Sequence, residues 1–184
     1  MRLLTGDDFG ALFTSVAATA DRLELRDVYR SDIEDEVTRR YVAGEPDDLA
    51  WSQAWFDQIR ALTAAGKRFR RVRVVSVPLS DYQRCGVDRI AAHNIAAGED
   101  IRYLDRAKAA GAFGDGLPGF DFWLFDAGEV SARVARLHFD DSGALLGAEI
   151  ITSPAIIGDV SAAFDRAFEL ASSRQDFAEA CGLS

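Results

Sequence analysis

Residues 120–126 read FDFWLFD, and the positions on both alternating faces of this stretch are apolar. Such a run is typical of a strand that is buried on both sides of a sheet. The acidic residues Asp121 and Asp126 stand near its two ends. Their separation of five places them on opposite faces, so we do not expect them to act as a catalytic carboxylate pair. The stretch predicts a central strand.

Further strand patterns lie on either side of this stretch. Leucines alternate with charged residues in RLELR (22–26), which predicts a strand with one solvent-exposed face. The valine-rich RVRVVSV (71–77) is typical of a central strand, and EDIRYL (99–104) predicts a short one. A hairpin is indicated by VARLHF (134–139), the turn DDSG and LLGAEII (145–151).

Helical patterns separate these strands. Apolar residues recur at spacings of three or four in WSQAWFDQIRALTAAGK (51–67), and a C-terminal helix is predicted over about 154–180. The glycine-rich stretch at about 105–119 predicts a flexible loop. We therefore expect a mixed α/β fold in a single domain over residues 1–184. Its mixed sheet would have five to six strands, with helices on its faces.

Composition excludes several classes of protein. Lys and Arg number 21 against 30 Asp and Glu, so the net charge is −9 and direct nucleic-acid binding is disfavoured. No apolar run is long enough to cross a membrane, and MRLLTGDDFG becomes acidic early, so we expect a cytoplasmic protein. Cys85 and Cys181 form no metal-binding motif. We expect no metal and no cofactor.

The densest positive charge is KRFRRVR, residues 67–73. Arg71 and Arg73 are two apart on a predicted strand, so their side chains project to one side and would bracket an anionic group. Pairing with neighbouring carboxylates is the alternative, because acidic residues are abundant. Both interpretations stay open from the sequence.

A ligand site is predicted where the chain leaves the strand RVRVVSV. Segments that leave neighbouring strands of an α/β sheet create a crevice with polar side chains above an apolar floor. The predicted ligand-binding residues are Arg71, Arg73, Asp81, Tyr82, Asn94, Arg102 and Tyr103.

An alternative catalytic set lies in LHFDDSG, residues 137–143. His138 and Asp140 would share a strand face, and Asp141 follows, which is a pattern compatible with acid–base chemistry. However, Asp-Asp-Ser-Gly is also an ordinary turn sequence, because Asp side chains bond the turn backbone. The sequence contains no GxSxG, HExxH, GxxxxGK[ST] or strand-associated GxGxxG motif.

Four segments taken in order carry a resemblance to a known family. They are RVRVVSVPLSDY (71–82), NIAAGEDIRYL (94–104), FDFWLFD (120–126) and HFDDSGALLGAEI (138–150). With them, the chain from Leu3 to Phe177 resembles an actinobacterial family of unknown function whose genes often accompany helix-turn-helix regulators. The resemblance implies a regulatory partner and no particular activity.

A fainter resemblance concerns the C-terminal part. The strand, the acidic turn, GAEII, Ser-Pro and the helix with Phe164 and Phe168 look like effector domains with a phospholipase-D-like fold. Catalytic members of that group need HxK, whereas His138 is followed by Phe139 and Asp140. The resemblance therefore implies kinship with non-catalytic relatives.

Two functional hypotheses follow. The first is a non-catalytic sensing or interaction module, an accessory to a helix-turn-helix transcriptional regulator that binds a small anionic ligand. The second is a small hydrolase or transferase that uses His138 with nearby carboxylates. The missing catalytic motifs and the acidic residue in the lysine position favour the first.

Overall fold

The computed structural model describes residues 2–183; Met1 and Ser184, which the predicted domain includes, lie outside them. The strands are β1 (Thr19–Glu24), β2 (Arg68–Val75), β3 (Glu99–Asp105), β4 (Phe122–Phe125), β5 (Arg133–Phe139), β6 (Leu145–Ile151) and β7 (Ser172–Ser173). The helices are α1 (Gly6–Thr14), α2 (Asp32–Val42), α3 (Gln53–Ala64), α4 (Asp81–Cys85), α5 (Ala91–Ala96), α6 (Arg106–Phe113), α7 (Pro154–Leu170) and α8 (Arg174–Ala180).

The seven strands form one mixed sheet in the order β6-β5-β4-β1-β2-β3-β7. Strands β1, β2 and β3 are parallel, and β4, β5, β6 and β7 join by antiparallel pairing. The predicted fold class is therefore confirmed, with seven strands instead of five to six. The additional strand β7 has only two residues, both serine, and pairs with Arg102 and Tyr103 of β3. It is too short and too polar to produce a periodic pattern.

Helices cover both faces of the sheet. The buried side chains of α1, α2 and α3 join one core cluster, which includes Phe69 of β2 and Phe125 of β4. Those of α6 and α7 join a second cluster on the other face, with Leu23 and Phe122. The prediction for FDFWLFD is confirmed: β4 lies between β1 and β5, and its four residues are buried.

Two predicted segments differ from the structure. The predicted loop at about 105–119 contains α6, whose first turn is capped by the Asp105 carboxylate, an acceptor for the N–H groups of Ala107 and Lys108. Its alanines favour a helix, although its glycines indicated a loop. The predicted helix at about 154–180 is interrupted, because Ala171 is extended and Ser173 caps α8. Within residues 2–183, no helix is long and apolar enough to cross a membrane.

Candidate functional site

Five charged side chains lie together on one face of the sheet, and we call them the charged cluster. Its members are Arg22, Glu24, Arg71, Arg73 and Glu99. In the parallel pairing of β1 with β2, Arg22 lies opposite Arg71 and Glu24 lies opposite Arg73. Because side chains alternate along a strand, these four point to the same face. The cluster is therefore built by strand register.

Glu24 is the shared partner of three arginines. Its Oε1 accepts hydrogen bonds from Arg22 Nε at 3.3 Å and Arg71 Nη1 at 3.1 Å. Arg73 Nε lies 2.8 Å from Oε2 and forms an ion pair with it, but the angle at the N–H group does not allow a hydrogen bond. Burial raises the pKa of this carboxyl, but Arg73, Arg71 and Arg22 lower it by more, so that it falls from 4.5 to about 2. Glu24 is therefore ionised at neutral pH.

Arg71 is bound on all three of its nitrogen atoms. Its Nε and Nη2 donate to the two carboxylate oxygens of Glu99 at 2.8 and 3.2 Å, and its Nη1 donates to Glu24. Such bidentate pairs are among the strongest ion pairs in proteins. Arg71 therefore links the carboxylates of β1 and β3 across β2.

Aromatic rings surround the other two arginines. The guanidinium carbon of Arg73 lies 5.7 Å from the ring centres of both Tyr29 and Tyr82. That of Arg22 lies 5.4 Å from the ring of Trp123. Cation–π contacts of this kind hold a guanidinium in place without using its N–H groups.

Two helical segments close the site from above. Glu34 comes from α2, and Tyr82 from the first turn of α4, where the two side chains form a 3.4 Å hydrogen bond. A π-helical turn, Gly86–Ile90, joins α4 to α5 and brings Gly86 and Ile90 to the site. Such turns are rare and are frequently found at functional sites.

These elements enclose a cavity of about 210 Å³. The lining residues are Arg22, Glu24, Tyr29, Glu34, Arg71, Arg73, Tyr82, Gly86 and Ile90. Three buried donors of this lining, Arg22 Nη1, Arg73 Nε and Arg73 Nη2, and one buried acceptor, Glu24 Oε2, have no hydrogen-bond partner within residues 2–183. Arg73 Nε and Glu24 Oε2 face each other in an ion pair at 2.8 Å, which leaves Arg22 Nη1 and Arg73 Nη2 as the orphan donors. The Arg22 residue is 7% exposed. Buried polar groups are normally paired, so two orphan guanidinium N–H groups beside one cavity indicate a site for an acceptor.

The charge around the cavity is close to balanced. Three arginines line the cavity with Glu24 and Glu34, and Glu99 and Asp121 lie just outside the lining, where they pair with Arg71 and Arg22. Burial raises the pKa of Glu34, and Arg73 offsets this effect only in part. Protonation of Glu34 would shift the balance towards positive charge. The orphan donors, and not a charge excess, therefore make the cavity a candidate site for an acceptor group.

A scan against protein-family models matches residues 7–179 to a single family, described as a domain of unknown function, DUF6879. The chain belongs to the DUF6879 family. No curated protein matches the chain.

Four of the ligand residues predicted for this DUF6879 protein lie at or beside the cavity. Arg71, Arg73 and Tyr82 line it. Tyr103 is on the same face of β3, where burial raises its pKa to about 12 although Arg73 lowers it. Its ring stacks on Phe177 at 5.0 Å, so Tyr103 supports the neighbouring wall.

The other three predicted residues lie elsewhere. Asp81 is exposed in the first turn of α4. Asn94 is buried, accepts a hydrogen bond from Trp55 Nε1 at 2.9 Å and donates to the Ile90 carbonyl. Arg102 donates to the Phe168 carbonyl on the opposite face of the sheet. The expectation that all seven residues converge is therefore wrong for these three, because helix packing and strand alternation direct them away.

Sequence reasoning missed six lining residues of the DUF6879 cavity. They are Arg22, Glu24, Tyr29, Glu34, Gly86 and Ile90. The alternating segment RLELR did contain a signal, but its charged face was predicted to be solvent-exposed. In the structure, Arg22 and Glu24 are buried. A charged strand face opposite the basic segment 67–73 would have indicated pairing between the two.

The alternative catalytic residues form local contacts in this DUF6879 protein. Nε2 of His138 lies 3.2 Å from Glu149 on the neighbouring strand. Asp140 caps the DDSG turn by accepting hydrogen bonds from the N–H groups of Ser142 and Ala144. Asp141 is exposed. The turn interpretation of Asp140 thus agrees with the structure, and His138 pairs across the hairpin.

A wider surface groove of about 570 Å³ lies at the edge of the sheet. Ile95, Ile101 and Ser173 are among its lining residues. Among the side chains of the described residues, none that lines this groove contains a buried polar atom without a partner. The cavity at the charged cluster is therefore the stronger candidate site.

Proposed function

We propose that this DUF6879 protein is a non-catalytic sensing module that binds a small anion in the cavity at the charged cluster. The observation that carries the proposal is the pair of buried donors, Arg22 Nη1 and Arg73 Nη2, at the wall of one cavity. An acceptor placed there would satisfy both donors. The ion pairs of Glu24 and the cation–π contacts hold both guanidinium groups in position for it.

We further propose that the module serves a helix-turn-helix transcriptional regulator, as the resemblance to an actinobacterial family implies. Kinship with non-catalytic phospholipase-D-like effector domains belongs to the same proposal. The net charge of −9 favours a protein partner over direct contact with nucleic acid.

The site offers a route from ligand to partner. The cavity is closed by α2 and by the helical segment that includes the π-helical turn and α5. These elements also present apolar side chains to solvent, since Ile33 and Val42 of α2 are 50% and 61% exposed. A ligand in the cavity would contact α2 at Glu34 and the helical segment at Ile90. We infer that binding alters the surface that these elements offer to a partner.

Ligand binding is tested by thermal unfolding with sodium nitrate or sodium formate against sodium chloride at equal ionic strength. We expect nitrate or formate to raise the melting temperature. At a hundred times the dissociation constant the gain is about 2.7 kcal/mol, or roughly 5–10 °C for a chain of this size. The anion-dependent shift should be lost in Arg73→Gln.

The control is Arg60→Gln, which removes an exposed arginine on α3 that pairs with Asp57. This variant should keep the full anion-dependent shift in melting temperature, because Arg60 pairs with Asp57 and is not among the residues that line the cavity. An equal response of both variants, or none in the unmodified protein, would contradict an anion site at the charged cluster.

The regulatory role is tested by mixing the purified protein with the helix-turn-helix regulator encoded by a neighbouring gene. We expect the two proteins to elute together in size-exclusion chromatography at micromolar concentrations. The fraction that elutes as a complex should change when nitrate or formate is added. Ile33→Ser replaces an exposed apolar side chain of α2. This variant should weaken the complex, because we expect α2 to form the contact. Separate elution under all anion conditions would refute the partnership.

A further inference from the structure

We propose that the ligand is a small monocarboxylate whose carboxylate lies between Arg22 and Arg73, with Gly86 setting the space available. This inference rests on the proposed function, because it names the ligand class of the same cavity. Charge, donor geometry, wall chemistry and the position of Gly86 each contribute to it.

Charge disfavours a ligand with two negative charges. Glu24 and Glu34 line the same cavity as the three arginines, and Glu99 and Asp121 pair with Arg71 and Arg22 beside it. A dianion such as hydrogen phosphate would bring two charges close to Glu24, whose carboxylate is ionised. Repulsion between like charges is strong at buried sites, where solvent screens it little. A monoanion brings less of this repulsion, and protonation of Glu34, whose pKa burial raises, would compensate its charge.

Donor geometry favours a planar group with two acceptor atoms. Arg22 Nε and Arg73 Nε approach the two different carboxylate oxygens of Glu24, at 3.3 and 2.8 Å. The two guanidinium groups therefore flank one carboxylate, and each has an unpartnered Nη atom within the described chain. A carboxylate offers two oxygen atoms to these two donors, and guanidinium groups commonly bind carboxylates through paired N–H donors.

Part of the remaining wall suits a small apolar body, although Glu34 also lines it. The ring of Tyr82 and the side chain of Ile90 line the cavity beside Arg73. The volume of about 210 Å³ corresponds to roughly seven water molecules at about 30 Å³ each. Ligands between propionate and benzoate in size would fill this space and contact these walls.

Gly86 determines how far the Arg73 guanidinium can extend. A Cβ at this position would lie 3.1 Å from Arg73 Nη1, which is closer than ordinary contact. The backbone of Gly86 is right-handed helical, with φ −60° and ψ −47°, so alanine fits the backbone without strain. Alanine would therefore push the guanidinium away by a few tenths of an ångström and narrow the cavity, while it favours the helix.

The test is isothermal titration calorimetry of the full chain with propionate and benzoate. Their neutral counterparts, propionamide and benzamide, and inorganic phosphate are titrated in parallel. We expect at least one carboxylate to bind about tenfold or more tightly than its amide, since charged hydrogen bonds are stronger than neutral ones. Phosphate should bind at least about tenfold more weakly than that carboxylate.

Two variants separate the site from general effects. Gly86→Ala should weaken carboxylate binding by about tenfold or more without lowering the melting temperature. Gly158→Ala is the matched control, because Gly158 lies in helix α7 with open space around its Cβ position. It should bind carboxylate as the unmodified protein does.

The outcomes distinguish this inference from the proposed function. Amide or phosphate binding as tight as carboxylate binding, or unchanged binding by Gly86→Ala, would overturn the monocarboxylate assignment. If nitrate still stabilises the protein through Arg73, the anion-binding function stands and only the ligand class fails. If no anion acts through Arg73, both fail.

Discussion

Replacement of Glu24 by glutamine is expected to lower the free energy of unfolding by about 3–5 kcal/mol, a large part of the stability of an ordinary domain. Glutamine keeps the shape of the side chain but removes the charge shared by Arg22, Arg71 and Arg73. The three buried guanidinium groups would then lose the negatively charged partner that they share. Urea unfolding at neutral pH measures the loss.

The Glu24 contribution should also depend on pH. Its folded pKa of about 2 lies below its ordinary value of 4.5. A depressed pKa contributes stability above the unfolded pKa and loses it as pH falls through the folded pKa. The difference between the unmodified protein and Glu24→Gln should therefore be constant above about pH 4.5 and shrink towards pH 2.

This difference is more informative than the pH curve of the unmodified protein. Burial raises the pKa values of Glu34 and Asp121, and their arginine neighbours offset this only in part. When the pH falls, protonation of Glu34 and Asp121 therefore raises the free energy of unfolding, whereas protonation of Glu24 lowers it. Glu36→Gln serves as the control, because Glu36 pairs with Arg39 on an exposed helix face. A Glu24→Gln loss no larger than that of the control would contradict the central role of Glu24.

Phe122→Ala is expected to cost about 3–5 kcal/mol, and Leu124→Ala about 2–5 kcal/mol. Both side chains are 0% exposed in β4 and pack in the cluster covered by α7. Phe122 also makes an edge contact with Phe164, with ring centres 6.5 Å apart. Alanine at either position would leave a cavity that a sheet held on both sides cannot close. Denaturant unfolding measures the cost.

The matched control is Leu146→Ala, because Leu146 is 51% exposed in the edge strand β6. This variant should change stability much less than Leu124→Ala. Equal losses at the two leucines would show that β4 is not the packed centre of this fold. Rapid exchange of the β4 amides would lead to the same conclusion.

The sequence predicts most of the architecture because apolar periodicity is strong in the longer elements. FDFWLFD, RVRVVSV and the helix around Trp55 all occur as predicted. Strand β7 was missed because two serines form no pattern. Helix α6 was missed because the four glycines of residues 105–119, of which only Gly111 lies in α6, outweighed its alanines in the prediction. Its cap at Asp105 depends on local backbone geometry, which the pattern does not specify.

Part of the cavity lining was predicted for a similar reason. Alternation along β2 correctly placed Arg71 and Arg73 on one face, because that follows from the strand period alone. The same reasoning treated the charged face of RLELR as exposed, since charged residues are usually solvated. The pairing of β1 with β2 buries Arg22 and Glu24 instead. A single strand does not reveal its neighbour, so the two predicted interpretations of Arg71, ion pairing and ligand binding, stayed open.

The matched positions of charge on β1 and β2 also determine how the two strands align during folding. A slip of one residue would turn Arg71 and Arg73 towards the apolar side under α7 and bring Val72 towards Glu24. Each unpaired charge buried in that misaligned sheet would cost several kcal/mol. Valine-rich parallel strands that are apolar on both faces would otherwise still bury apolar side chains after such a slip. The arginines and glutamates therefore make one alignment far more stable than its neighbours.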